Sequence, residues 1–217
     1  MDRDEVWQAI DHERASLADL FDDLSEQEWA TASLCAGWRV RDVAAHLTLA
    51  QTGVLTAACW LLMARGNLNR MIHDSAVRQA ESPVRHYGAR LRGMAGSRRK
   101  APGITDFEPL IDVLVHGQDI AVPLGRDRPM PVRAGAAAAT RVWTMGRPFH
   151  AQRRLTGFEF VATDCSWSAG QGHRVEGTIS TILLLLTCRD VALSQLSGRG
   201  IAELRARLSP PPTGVRA

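Results

Sequence analysis

Lysine is almost missing from this chain. Among its 217 residues Lys100 is the single lysine, and the rest of the 26 basic residues are arginines. Schiff-base lysine chemistry is therefore not expected. Cysteine is sparse as well. Cys35, Cys59, Cys165 and Cys188 lie far apart and form no CxxC pair, which argues against a cysteine-built metal cluster or a dithiol redox motif. The longest apolar run, Ile182 to Thr187 with its flanks, falls far short of the roughly 20 residues a membrane helix needs. The opening Met1-Asp2-Arg3-Asp4-Glu5 is charged and leads straight into a helical pattern, unlike a signal peptide, so a cytoplasmic location is expected. Basic residues cluster only at Arg98-Arg99-Lys100 and Arg153-Arg154. Neither cluster is interleaved with aromatics, so neither a nucleic acid nor a membrane is an expected partner.

What is present suits a globular protein: 45% hydrophobic and 23% charged residues, too apolar for disorder. Val6, Ile10, Leu17, Leu20 and Phe21 recur at helical spacing to about Leu24, and Ser25 to Glu28 reads as a capped turn anchored by Trp29. A helix is expected from Trp38 to Leu47, another over 54–66, and a long one from Asn69 to Met94 broken at Pro83. Thr105 and Glu108 fit the start of a helix that runs to Pro123, and an alanine-rich helix follows over Ala134 to Trp143. After Pro148 the texture changes. Leu155 to Ala162 alternates like a strand, a second strand is expected around Cys165 to Ser168, and Gly170-Gln171-Gly172 fits a hairpin turn. Thr178 to Gln195 reads as one apolar helix, Ile201 to Leu208 as a short amphipathic one, and the Pro210-Pro211-Pro212 tail as disordered. The fold class is therefore α+β, mostly α, with a helical domain at 1–148 and a small α/β domain at 149–217.

One constellation carries chemistry. In Asp112-Val113-Leu114-Val115-His116 a carboxylate and an imidazole stand four residues apart, which on a helix puts them one turn apart on one face. The intervening residues belong in a core, where a lone carboxylate is costly and a metal would remove the cost. Catalytic zinc takes three protein ligands and keeps one position open. His46, emerging beside the apolar face Val43, Ala44, Leu47, is the natural third ligand, since bundles build metal sites from facing helices. Asp119 is either a group orienting His116 or a residue tying down the Pro123-Leu124-Gly125 turn.

Gly37-Trp38-Arg39-Val40-Arg41-Asp42-Val43-Ala44-Ala45-His46-Leu47 resembles the first signature of the mycothiol-dependent maleylpyruvate isomerase family, a branch of the DinB-like helical bundles. The segment from Asp112 to Gly125 resembles its second. The resemblance implies a DinB-like four-helix bundle that binds zinc, or another divalent metal, through His46, Asp112 and His116. Aspartate here replaces the glutamate of the better-characterised pattern. Mycothiol is the implied cofactor: a metal-bound thiolate from this small thiol would isomerise or S-conjugate a small electrophilic substrate, making the protein an isomerase or transferase. Leu183-Leu184-Leu185-Leu186-Thr187-Cys188-Arg189 resembles the family's C-terminal element, with Thr187-Cys188 where a bulky residue and a glycine are usual. Arg189 would then clamp a carboxylate of cofactor or substrate. A homodimer is implied by analogy with other bundles. Two other readings stand beside this one: a metal-activated-water hydrolase of an amide or ester, with Asp119 as its general base, and a non-catalytic metal- or ligand-binding bundle.

Overall fold

The computed structural model describes residues 1–51, 67–100 and 103–208, so the expected helix over 54–66 and the proline-rich tail lie outside the described residues. The chain divides into two units, Met1–Pro129 and Met130–Ala217.

The first unit is helical. Helix α1 (Arg3–Asp23) begins where Asp2 caps it: Glu5 N–H donates to Asp2 Oδ1 at 2.8 Å and Asp2 N–H to Glu5 Oε2 at 2.9 Å. The spacing of Val6, Ile10, Leu17 and Phe21 puts all four on its buried face. Helix α2 (Glu26–Ala30) starts with the same exchange between Ser25 and Glu28. The Ser25 N–H and hydroxyl, together with Arg126, hold the Glu28 carboxyl down to about 2. Then come α3 (Val40–Leu47), α4 (Leu68–Gln79), α5 (Arg85–Arg92) and α6 (Phe107–Ala121). The expected break at Pro83 falls between α4 and α5. Helix α1 packs against α5 and α6, and α3 packs against α4 and α6. The α3–α6 contact sets His46 opposite Asp112 and His116.

A buried ion pair fixes α6 relative to α1. Arg128 Nη2 donates to Glu13 Oε2 at 2.6 Å, its Nη1 reaches Ser16 Oγ at 2.6 Å, and both charged side chains are under a tenth exposed. Burial pushes the Glu13 carboxyl up and the Arg128 guanidinium down, each against the pull of its partner. Gly117 makes the passage possible: a Cβ there would lie 2.8 Å from Arg128 Nε.

The second unit begins with α7 (Val132–Thr144) and α8 (Ala151–Arg154), followed by strands β1 (Gly157–Ala162), β2 (Ser168–Gly170) and β3 (Gly172–Gly177). It closes with α9 (Ile179–Leu186), a 3-10 helix (Asp190–Gln195) and α10 (Ile201–Leu208). Apart from an isolated bridge between Ala32 and Arg39, the regular elements of unit 1 among the described residues are helices, and unit 2 carries the one described sheet, so the class is α+β and mostly α. The unit boundary falls after Pro129, ahead of the texture change at 148, because α7 packs its small-residue face on α9. A Cβ on Gly135 would meet Ile179 Cγ2 at 3.2 Å, so the two helices approach closely.

Two local expectations are corrected. The strand order is β2-β1-β3, with β2 antiparallel and β3 parallel to β1, so Gly170-Gln171-Gly172 is not the turn of a hairpin. Instead it carries the chain across the start of β1 from one edge to the other. Gly170 (φ 86°) and Gly172 (φ 127°) are required there, since a Cβ on either would collide with the carbonyl oxygens of Phe158 and Gly157. The apolar helix also ends at Leu186, not Gln195. Thr187 closes it by bonding back to the Leu183 and Leu184 carbonyls, and Cys188 adopts a left-handed φ of 67°. That is the position where the family resemblance leads one to expect glycine.

Two outcomes follow from these packing arguments. Arg128→Ala leaves Glu13 buried without its partner and should cost roughly 3–5 kcal/mol in urea unfolding, whereas the double variant Glu13→Gln/Arg128→Met should lose distinctly less. Cys188→Gly relieves a strained backbone and should raise stability by about 1 kcal/mol in the same assay.

Candidate metal centre

Helix α3 is started by Asp42, which accepts from the Arg39 N–H at 2.8 Å and from two guanidinium nitrogens of Arg39 at 3.0 Å each. One turn later α3 presents His46. From α6, the four-residue spacing brings Asp112 and His116 onto the same face. His46 Nε2 lies 3.4 Å from Asp112 Oδ1, and His116 Nε2 lies 3.3 Å from the same oxygen. The imidazole rings meet edge to face with centroids 5.0 Å apart. All three donor atoms fall within 4.8 Å of one another. Their side chains are 21%, 28% and 16% exposed for His46, Asp112 and His116, so the cluster is open on one side.

These separations suit long hydrogen bonds in the metal-free protein and also two ligands of one shared cation. A charge-assisted N–H···O bond settles at about 2.7–2.9 Å. Two ligands of a tetrahedral zinc, each about 2.05 Å from the metal, sit about 3.3 Å apart. The two Nε2–Oδ1 distances match the second value. Two imidazoles and one carboxylate, converging with a side left open, fit a divalent cation of zinc size.

The other nitrogen of His116 behaves differently. Its Nδ1 lies 2.8 Å from Asp119 Oδ2, a true hydrogen bond to a carboxylate with no solvent exposure at all. A ring proton therefore sits on Nδ1, and Nε2 faces His46 and Asp112. Asp119 orients an imidazole.

Cys35 was invisible to motif reading and belongs here too. Its thiol donates to Asp119 Oδ2 at 3.0 Å and lies 3.6 Å from His116 Nδ1. Cys35, His116 and Asp119 form a second group able to hold an ion. Their 2.8 and 3.0 Å separations, however, are those of hydrogen bonds. The turn carrying Cys35 is pinned by Ser33, whose hydroxyl donates to Trp38 O at 2.9 Å and accepts from the Cys35 N–H at 3.1 Å. Leu34 N–H donates to the Asp119 carbonyl at 3.1 Å, tying the turn to α6. At its far end Trp38 packs its ring 5.5 Å from that of His46 and donates from Nε1 to His73 Nδ1 at 2.6 Å. Trp38 is thus a half-buried wall of the site as well as an anchor, and nothing in the sequence pattern singled out His73.

Arg189 lies in the second unit, in the turn after α9, half-buried, with Nη1 donating to the Thr187 carbonyl at 2.6 Å. Among the described residues no helix is long and apolar enough to cross a membrane.

Burial pushes the Asp112 carboxyl up, but His46 and His116 outweigh it and hold the group far below the usual carboxylate range. Burial pushes His116 down, yet its bonds to Asp112, Asp119 and Cys35 raise it well above 6.5. Without a metal the cluster is thus a carboxylate–imidazolium pair. The His116 contribution to stability is complete below pH 6.5 and fades as pH rises through the raised value. The Asp112 contribution is present above pH 3.8 and is lost as pH falls further. In chelator-treated protein, His116→Asn should therefore lower the melting temperature most between about pH 4 and 6.5. The deficit should shrink toward alkaline pH; a deficit independent of pH would contradict the pairing.

A helical bundle whose helices bring together three groups able to hold a cation suits several chemistries, and comparison narrows them. Residues 10–102 match the model of the mycothiol maleylpyruvate isomerase N-terminal domain, a segment that includes Cys35, Trp38, His46 and His73. The matched segment, somewhat under half of the chain, is thus similar to that N-terminal domain. No curated protein matches the sequence. Two solved structures share the fold. One is a histidine-to-alanine variant of a mycothiol-dependent maleylpyruvate isomerase, 16% identical with a TM-score of 0.60, covering 92% of this chain and 93% of that one. The other is a mycothiol-dependent maleylpyruvate isomerase, 16% identical with a TM-score of 0.54, covering 87% and 90%.

Proposed function

We propose that the chain binds one divalent metal, zinc by the nature of its donors, through His46 Nε2, Asp112 Oδ1 and His116 Nε2. With it the protein would act as a mycothiol-dependent isomerase or S-transferase on a small electrophile. The observation that carries this reading is the pair of 3.3 and 3.4 Å separations converging on one carboxylate oxygen. The similarity of residues 10–102 to the mycothiol maleylpyruvate isomerase N-terminal domain, and the fold shared with two mycothiol-dependent maleylpyruvate isomerases, suggest the thiol and the reaction class. When bound, the metal would supply Lewis acidity that favours the ionised form of a thiol.

The chain's own residues do the rest. Asp119 keeps the proton of His116 on Nδ1 and so keeps Nε2 available as a donor. Asp112 is one methylene shorter than the glutamate of the better-characterised pattern, and the close α3–α6 packing makes up the reach. Trp38 flanks the His46 ring and limits the water around it. In the second unit Arg189 is assigned to an anionic group of the thiol or the substrate, by bidentate contact.

A specific observation weakens the hydrolytic alternative. Asp119, its only local candidate for a general base, is fully buried and already accepts from both His116 and Cys35. It has no room to take a proton from water.

Elemental analysis of untagged protein should find about one zinc per chain, and His46→Ala or His116→Ala should abolish it. Turnover of a cis-unsaturated keto acid should require added thiol, and ester cleavage without thiol should be absent. Protein that stays metal-free in excess zinc, or full zinc retention in His116→Ala, would overturn the reading.

A further inference from the structure

Asp119 Oδ2 has two donors at once, the Nδ1–H of His116 at 2.8 Å and the thiol of Cys35 at 3.0 Å. A buried carboxylate oxygen divides its acceptor strength among the donors it serves. We propose that Cys35 is a positioning residue that tunes His116 by sharing this oxygen. The inference rests on the metal reading above and extends it to a residue outside the three donors. With the thiol in place, Asp119 pulls less strongly on the His116 proton, and Nε2 stays a moderate electron donor. A hydrogen-bonded carboxylate raises the basicity of a metal-ligating histidine, so the thiol restrains that effect and keeps a bound cation more electrophilic.

The chemistry of the group suits the task. A thiol is a weak donor and takes only a share of the oxygen, where a serine hydroxyl would take more. The turn is built to hold it there. Ser33 fixes the Cys35 backbone from both sides, and Leu34 N–H anchors the turn to the carbonyl of Asp119 itself. Thiol and carboxylate therefore belong to one rigid unit, and the thiol is aimed at the oxygen by backbone geometry.

Two measurements test this, one of them independent of any metal. In chelator-treated protein, the Hδ1 proton of His116 should move downfield in Cys35→Ala, where the thiol no longer draws on Asp119 Oδ2. It should return to or beyond its original position in Cys35→Ser. In cobalt-loaded protein, release to a chelator should slow about tenfold in Cys35→Ala and recover in Cys35→Ser. An unmoved proton resonance, or release that is unchanged or faster in Cys35→Ala, overturns the proposal. So does a thiolate-to-cobalt charge-transfer band in the unaltered protein, which would make Cys35 a ligand. If the unaltered protein takes up no cobalt, the metal reading fails on its own, and the proton resonance still decides whether Cys35 shares Asp119.

Discussion

His116 is an aromatic ring with two nitrogens, and the rest of the site follows from giving each a different kind of neighbour. One nitrogen is 2.8 Å from a carboxylate that water never reaches, so it must be the protonated one. That single bond fixes a proton on Nδ1, turns the ring, and leaves the opposite nitrogen directed at an oxygen 3.3 Å away. Remove Asp119 from this arrangement and the imidazole has no reason to choose an orientation. The three donors would then be near one another without being aimed.

The bundle exists, from the site's point of view, to hold α3 and α6 at the separation this requires. Arg128 crossing over Gly117 to reach Glu13 anchors the stretch after α6 to α1, and the Arg39–Asp42 bonds set where α3 begins. Neither touches the donors. The proposed cation site would tolerate errors of only a few tenths of an ångström, and helix packing alone is looser than that.

Much of this was legible in the sequence because it is local. The four-residue spacing of Asp112 and His116, the Ser25–Glu28 exchange and the break at Pro83 depend on a few adjacent residues, and periodicity reports them directly. His46 was reachable because its helix has an apolar face that must meet another. Cys35 was not reachable: it lies in a turn before the helix, and its closeness to Asp119 arises from packing between segments 84 residues apart. His73 escaped for the same reason, since the Trp38 bond to it spans two elements. The sheet order failed where local patterning is weakest. Two glycines flanking one residue look like a hairpin, and only the carbonyls of Gly157 and Phe158 beneath them reveal a crossing.

The turn from Ser33 to Trp38 also changes what counts as the unit of inheritance for this site. It braces one imidazole through Cys35 and Asp119 and flanks the other through Trp38, so the two histidines share a support encoded outside either helix motif. Transplanting the three donors onto another bundle would carry across the ligands and leave behind the brace. The smallest portable version of the centre is two helix faces together with the six residues that lead into the first of them. Drift within those six residues would alter both imidazoles together, which couples the two halves of the site as sequences diverge.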